Sequence, residues 1–117
     1  AGQVVALEFW ATWCQACPAM VPILNRWHER YASQGLAVLG VAPEAVREVA
    51  QSARRQGINY AVASDPQSLT ARAYRANAIP MVVLIDRQGV VRDVVVGLES
   101  DGLREMVELL AKLLSER

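Results

Sequence analysis

Both cysteines of the 117-residue chain fall in FWATWCQACPAMVP, residues 9–22, as Cys14 and Cys17. Two thiols so close can interconvert between dithiol and disulfide and so pass electron pairs, but they cannot tie distant parts of a fold together. Closing a loop of about four residues restricts the unfolded chain by only ~2 kcal/mol in the chain-entropy picture, against ~3 for a fifteen-residue loop. A chain of this length also buries a core without staples. The spacing therefore points to exchange chemistry rather than structural cross-linking.

An apolar run precedes the pair, and helical sequence follows it. Cys14 is expected where a strand gives way to a helix, with free N–H groups and the positive end of the helix dipole facing its sulfur. Lowering a thiol pKa from ~8.5 to ~7 requires ~2 kcal/mol of preferential anion stabilisation and makes about half the thiol anionic at neutral pH. Cys14 is thus the expected nucleophile. Cys17, one turn later and deeper, is the expected resolving thiol, which attacks Cys14 in a mixed disulfide and releases the reduced partner. Pro18 is tolerated in the first turn, where its missing N–H has no intrahelical role.

The elements that must position this pair are legible from periodicity. VVALEFW (4–10) and LAVLGVA (36–42) read as buried strands. A helix over about 16–33 lies between them, bent from within by Pro22. A helix over 43–56 is expected, with Pro43 in its first turn, Val46, Val49, Ala50 and Ala53 on one face and Gly57 as its stop. A short strand at Tyr60–Ala63 follows, then a helix capped by Asp65 and running from Pro66 to about Asn77. MVVLID and VVRDVVV read as strands joined at RQG. A final helix, 101–116, places Leu103, Met106, Val107, Leu110, Leu113 and Leu114 on one stripe. The order predicts one α/β domain over 1–117, a mixed central sheet with helices on both faces.

Composition narrows the function. Twelve basic residues balance twelve acidic ones, so no charged surface for nucleic acid or anionic lipid is expected. Hydrophobic content is 53%, yet no uninterrupted apolar stretch is long enough to span a bilayer. A strand within a few residues of Ala1 suggests a trimmed or processed chain, whose missing part is where a signal peptide or anchor would sit.

FWATWCQAC, with a proline five residues after the second cysteine and Ile79-Pro80 before a late strand, resembles the thioredoxin superfamily over nearly the whole chain. The additional αβ unit at about 43–64, with WATWC and VLIDRQGVV, resembles the TlpA/ResA/DsbE branch. That resemblance implies a three-layer thioredoxin-like fold and an extracytoplasmic thiol-disulfide oxidoreductase. It implies no cofactor beyond the Cys14–Cys17 disulfide and no bound metal. Its partners would be protein disulfides or dithiols and a membrane electron donor of the DsbD/CcdA type, met by a monomer.

The resemblance also assigns roles around the thiols. Glu8, the one charge in its strand, matches the buried acid of thioredoxins, implying that it accepts the Cys17 proton; the alternative is a solvent-facing glutamate. Ile79-Pro80 matches the family's cis-proline, beside which substrate backbone pairs, although most X-Pro bonds are trans. Trp13 matches an exposed, partner-contacting tryptophan, the alternative being packing, which is the role expected of Trp10 and Trp27. His28 is expected to be exposed.

Some positions depart from the branch. Met20 replaces a frequent acid and Pro18 a frequent base, while Glu8 stands where an amide is common. Gln15-Ala16 supplies no cation to hold a thiolate, which favours a reductant. The competing reading is a Cu(I) module using Cys14, Cys17 and Met20 or Met81 as soft ligands. Copper-handling relatives on this fold generally space their cysteines one residue further apart and add a later histidine, and neither feature is present. A redox-inert interaction domain is a third possibility.

Overall fold

The structure is a computed structural model that describes residues 2–116. Its elements are β1 (Val4–Phe9), a 3-10 turn (Cys17–Met20), α1 (Val21–Tyr31), a second 3-10 turn (Ala32–Gln34), β2 (Leu36–Ala42), α2 (Val46–Gln56), β3 (Ala61–Ser64), α3 (Leu69–Ala73), β4 (Met81–Ile85), β5 (Val91–Val96) and α4 (Ser100–Ser115). The strands form one sheet in the order β3-β2-β1-β4-β5. β1, β2 and β3 run parallel, and β4 and β5 are antiparallel to their neighbours.

β1 lies at the centre because both of its faces are apolar. Val4 and Ala6 pack with Leu24 and Trp27 of α1 and with Leu103, Met106, Leu110 and Leu113 of α4. Leu7 and Phe9 face the other way, against Ala71, Tyr74, Ala76 and Ile79. α2 joins α1 and α4 on their side, since its Val49 packs with Trp10, Ala42 and Val62. Two successive right-handed crossovers, β1-α1-β2 and β2-α2-β3, require that placement. α3 covers the opposite face, giving the expected thioredoxin-like layers. Burying a large apolar side chain is worth ~1.5–3 kcal/mol, so the four buried residues of the α4 stripe alone anchor that helix.

Three helix boundaries differ from expectation. The segment before Val21 is 3-10 because Pro22 cannot donate to the Pro18 carbonyl; Val21 N–H bonds it instead, one residue tighter. Pro22 therefore sits in the first turn of α1 and does not bend it from within. α2 begins at Val46, not Pro43, with its first intrahelical bond from Val49 N–H to Ala45 O, and Val46 is 72% exposed. Its buried positions are Val49, Ser52 and Ala53, and Gly57 at φ 70° ends it as expected. α3 is only five residues long. Asp65 does cap it, accepting from the N–H groups of Leu69, Thr70 and Ala71, but Ser68 and Arg75 at positive φ bracket the helix.

The β4–β5 turn organises the end of the sheet remote from the cysteines. Asp86 accepts from the N–H groups of Gln88 and Val90 and pairs with Arg92 at 3.1 Å. The Val90 N–H, more than Arg92, holds that carboxyl below its usual range. Arg87 donates to four carbonyls: Gly2 at 2.7 Å, Leu114 at 2.9 Å, Glu116 at 3.0 Å and Gln34 at 3.4 Å. One guanidinium thus ties the entry to β1 and the turn before β2 to the end of α4. Gly35, at φ 110°, leaves the room this needs, since a Cβ there would lie 2.9 Å from Arg87 Nη1.

Candidate active site

The chain leaves β1 at Phe9 and reaches Cys14 through a turn in which Cys14 N–H bonds Ala11 O at 3.2 Å. Helical structure starts at Cys17, so Cys14 precedes the first helical residue by three positions and does not itself open the helix. Pro18 has no N–H to give the Cys14 carbonyl, so no α-helical bond can close there. The two cysteines form a disulfide with Cα atoms 5.4 Å apart. Cys14 is the more accessible, 9% exposed against 1% for Cys17, matching the expected order of depth.

Glu8 lies on the central strand, in register with Gly40 of β2 and Val82 of β4. It is only 1% exposed. The solvent-facing alternative is therefore excluded. Burial drives its carboxyl from 4.5 up to about 7, partly opposed by a hydrogen bond from Tyr60 Oη to Oε1 at 3.0 Å. Desolvation dominates because no cation among the described residues offsets it. Tyr60 itself is pushed upward, first by burial and then by the Glu8 charge, and stays a protonated donor.

Trp10 packs beside the cysteines in a cluster with Ala11, Ala42 and Val49. Its Nε1 is buried without a hydrogen-bond partner among the described residues. A Cβ at Gly40 would stand 2.8 Å from that nitrogen and 3.3 Å from Glu8 Oε1. Gly40 is thus what lets the indole and the carboxyl both lie over β2.

The remaining expected residues divide between the surface and the core. Trp13 is 70% exposed, whereas Trp10 and Trp27 are buried packing residues. The Ile79–Pro80 peptide is cis, and Ile79 packs against the cluster containing Cys14 and Cys17. A cleft of about 210 Å³ is lined by Phe9, Trp10, Trp13, Asn77 and Ile79, among others. Met20 and Met81 belong to separate packing clusters, and neither cluster holds the cysteines. Among the described residues no three His, Cys, Asp or Glu side chains group as a metal site. His28 is half-buried rather than exposed, with Nδ1 shielded from solvent.

Sequence reasoning missed Tyr60 and Gly40. Tyr60 stands 52 positions from Glu8 and read only as the start of a strand. Its signal is register: β1 Glu8, β2 Gly40 and β3 Val62 align across the sheet, and Tyr60 lies two residues before Val62.

Residues 1–94 match the AhpC/TSA family. The thiol-disulfide oxidoreductase ResA of Geobacillus kaustophilus is 33% identical over 97 residues, covering 82% of this chain and 56% of ResA. The chain thus spans about half the length of such curated relatives. A Chlorobium tepidum protein assigned as thiol:disulfide interchange protein DsbE superposes with a TM-score of 0.89 at 29% identity, over 97% of this chain and 82% of its own. A thiol-disulfide isomerase from Corynebacterium glutamicum gives 0.81 at 27%, over 99% and 83%. The chain belongs to the AhpC/TSA family, as a ResA- and DsbE-like member built on the thioredoxin fold.

Proposed function

We propose that this chain is a thiol-disulfide oxidoreductase that reduces disulfides in protein partners. The observation that carries the reading is the Cys14–Cys17 disulfide, 9% exposed at Cys14 and 1% at Cys17, packed against Trp10, whose indole shares the space over Gly40 with a buried carboxyl, Glu8, raised by burial to about 7. In the reduced protein, Cys14 as thiolate attacks a partner disulfide, forming the mixed disulfide and expelling one partner sulfur. Cys17 then loses its proton to Glu8 and attacks Cys14 Sγ. The second partner sulfur leaves, so two electrons reach the partner and the enzyme ends as the disulfide. A carboxyl raised to near 7 is a stronger base than an ordinary carboxylate, which suits it to accept a thiol proton at neutral pH.

The partner's backbone is received at Ile79, whose own backbone makes no hydrogen bond among the described residues and so stays open to an extended chain. Trp13 supplies an apolar wall of the adjoining cleft. Gln15-Ala16 adds no cation, which favours the reducing direction. We place the protein outside the cytoplasm, recharged as a monomer by a membrane donor of the DsbD/CcdA type, on its resemblance to the ResA and DsbE branch.

The test is reduction of insulin disulfides by the reduced protein. Wild type should outpace an equal concentration of free dithiol, Cys14→Ser should be inactive, and Cys17→Ser should accumulate the mixed disulfide. A wild-type rate no better than free dithiol overturns the proposal.

A further inference from the structure

We propose that Tyr60 is a positioning residue for the exchange reaction: its hydroxyl fixes Oε1 of Glu8 and leaves Oε2 as the oxygen that receives the Cys17 proton. This rests on Glu8 being the proton acceptor, and it gives the αβ unit between β2 and α3 a part in the chemistry. Tyr60 is buried, 5% exposed, at the entry to β3, and its hydroxyl meets Oε1 at 3.0 Å. The sheet brings the two together by aligning Glu8, Gly40 and Val62 across three parallel strands. A carboxylate has two oxygens of equal basicity, and a donor locked on one biases the proton toward the other.

Among the described residues no other charged group competes for Glu8. β2, β4 and the 3-10 turn at Cys17–Met20 carry none. On α1, Arg26, Glu29 and Arg30 are exposed, and His28 is half-buried. On α2, Arg47, Glu48, Arg54 and Arg55 are exposed, as are Asp101, Arg104, Glu105 and Lys112 on α4. Glu108, also on α4, lies outside the groups that perturb Glu8, of which Tyr60 is the one side chain. Donation by the hydroxyl favours the ionised carboxyl and opposes desolvation. Its loss leaves burial unopposed.

Tyr60→Phe removes that hydroxyl with little change of shape. A hydrogen bond to a charged group is strong enough that the Glu8 midpoint should rise by about one pH unit, cutting its ionised fraction at pH 6 about tenfold. The midpoint is read from the Glu8 side-chain carboxyl resonance in the oxidised protein, assigned with Glu8→Gln, between pH 4 and 9. In parallel, release of a preformed Cys14 mixed disulfide by Cys17 is followed against pH. Upward movement of both midpoints in Tyr60→Phe supports the inference. An unmoved carboxyl midpoint overturns it, even where Glu8→Gln slows release. A carboxyl midpoint that moves while release keeps the wild-type pH profile, and Glu8→Gln also leaves release unchanged, shows the contact to be real but removes Glu8 as acceptor, and with it the positioning role.

Discussion

Replacing Glu8 by Gln should make stability far less dependent on pH, by an amount that follows from burial. The Glu8 carboxyl moves from 4.5 to about 7 in the folded protein. Because that folded pKa is raised, the native state keeps a proton that the unfolded chain has lost between these two values. The associated stability is fully present below pH 4.5 and is lost as pH rises through 7. At 1.36 kcal/mol per unit the loss is about 3 kcal/mol by pH 8, of which about 2 is already gone by pH 6. Gln keeps an acceptor for Tyr60 but does not titrate. The stability of Glu8→Gln relative to wild type should therefore rise by about 3 kcal/mol between pH 4 and pH 8, or by about 10 °C in Tm for a domain of this size. Denaturant unfolding of both proteins across that range, with the disulfide intact so that no thiol titrates, gives the difference directly and cancels every other carboxyl. A difference that stays flat within about 0.5 kcal/mol would refute the claim that burial dominates at Glu8.

Two further outcomes separate the ends of the molecule. Arg87→Ala should lower stability by about 1–2 kcal/mol through loss of hydrogen bonds to four carbonyls, with the insulin-reduction rate unchanged; equilibrium unfolding and the rate assay check both. Trp13→Ala should raise KM for polypeptide disulfides several-fold while sparing a small-molecule disulfide, because an exposed ring can contribute only to partner contact; equal effects on both substrates would point to a disturbed Cys14 instead.

The parts legible in the sequence were those set by local pattern. β1, β2, β4, β5 and the α4 stripe follow from apolar runs and from the 3.6-residue repeat, and Gly57 ended α2 where a left-handed residue is cheapest. Helix starts were less legible because they depend on which carbonyl finds a donor. Pro22 redirects one bond and converts a turn to 3-10, and the Asp65 carboxylate reaches past Pro66 to cap a helix beginning at Leu69. In β5 the alternation is broken at Arg92, where the register with Leu84 and Ile85 of β4 shifts, which brings Val91, Val94 and Val96 to one face, each at least 45% exposed. The cysteines, Glu8 and Ile79-Pro80 were visible as residue types. Tyr60 was not, since its contact spans 52 positions and exists only once three strands are in register.

The molecule divides stability from chemistry along the length of β1. At the end before Val4, polar groups are heavily paired: Arg87 binds four carbonyls and Asp86 three donors. At the end around Phe9 they are left short. Among the described residues Glu8 has a single donor, Trp10 Nε1 has no partner and Ile79 makes no backbone bond, and Trp13 stands in solvent. Each deficit costs folding free energy, and each is a place where a reacting chain or proton can be accommodated. Stabilising substitutions around Phe9, Glu8→Gln foremost, should therefore tend to slow exchange, whereas stabilisation before Val4 should leave it untouched. A rigid far end is what permits an under-satisfied near end: the about 3 kcal/mol lost to an ionised Glu8 is a large fraction of a typical domain's stability, and the Arg87 and Asp86 networks offset part of it without touching the cysteines.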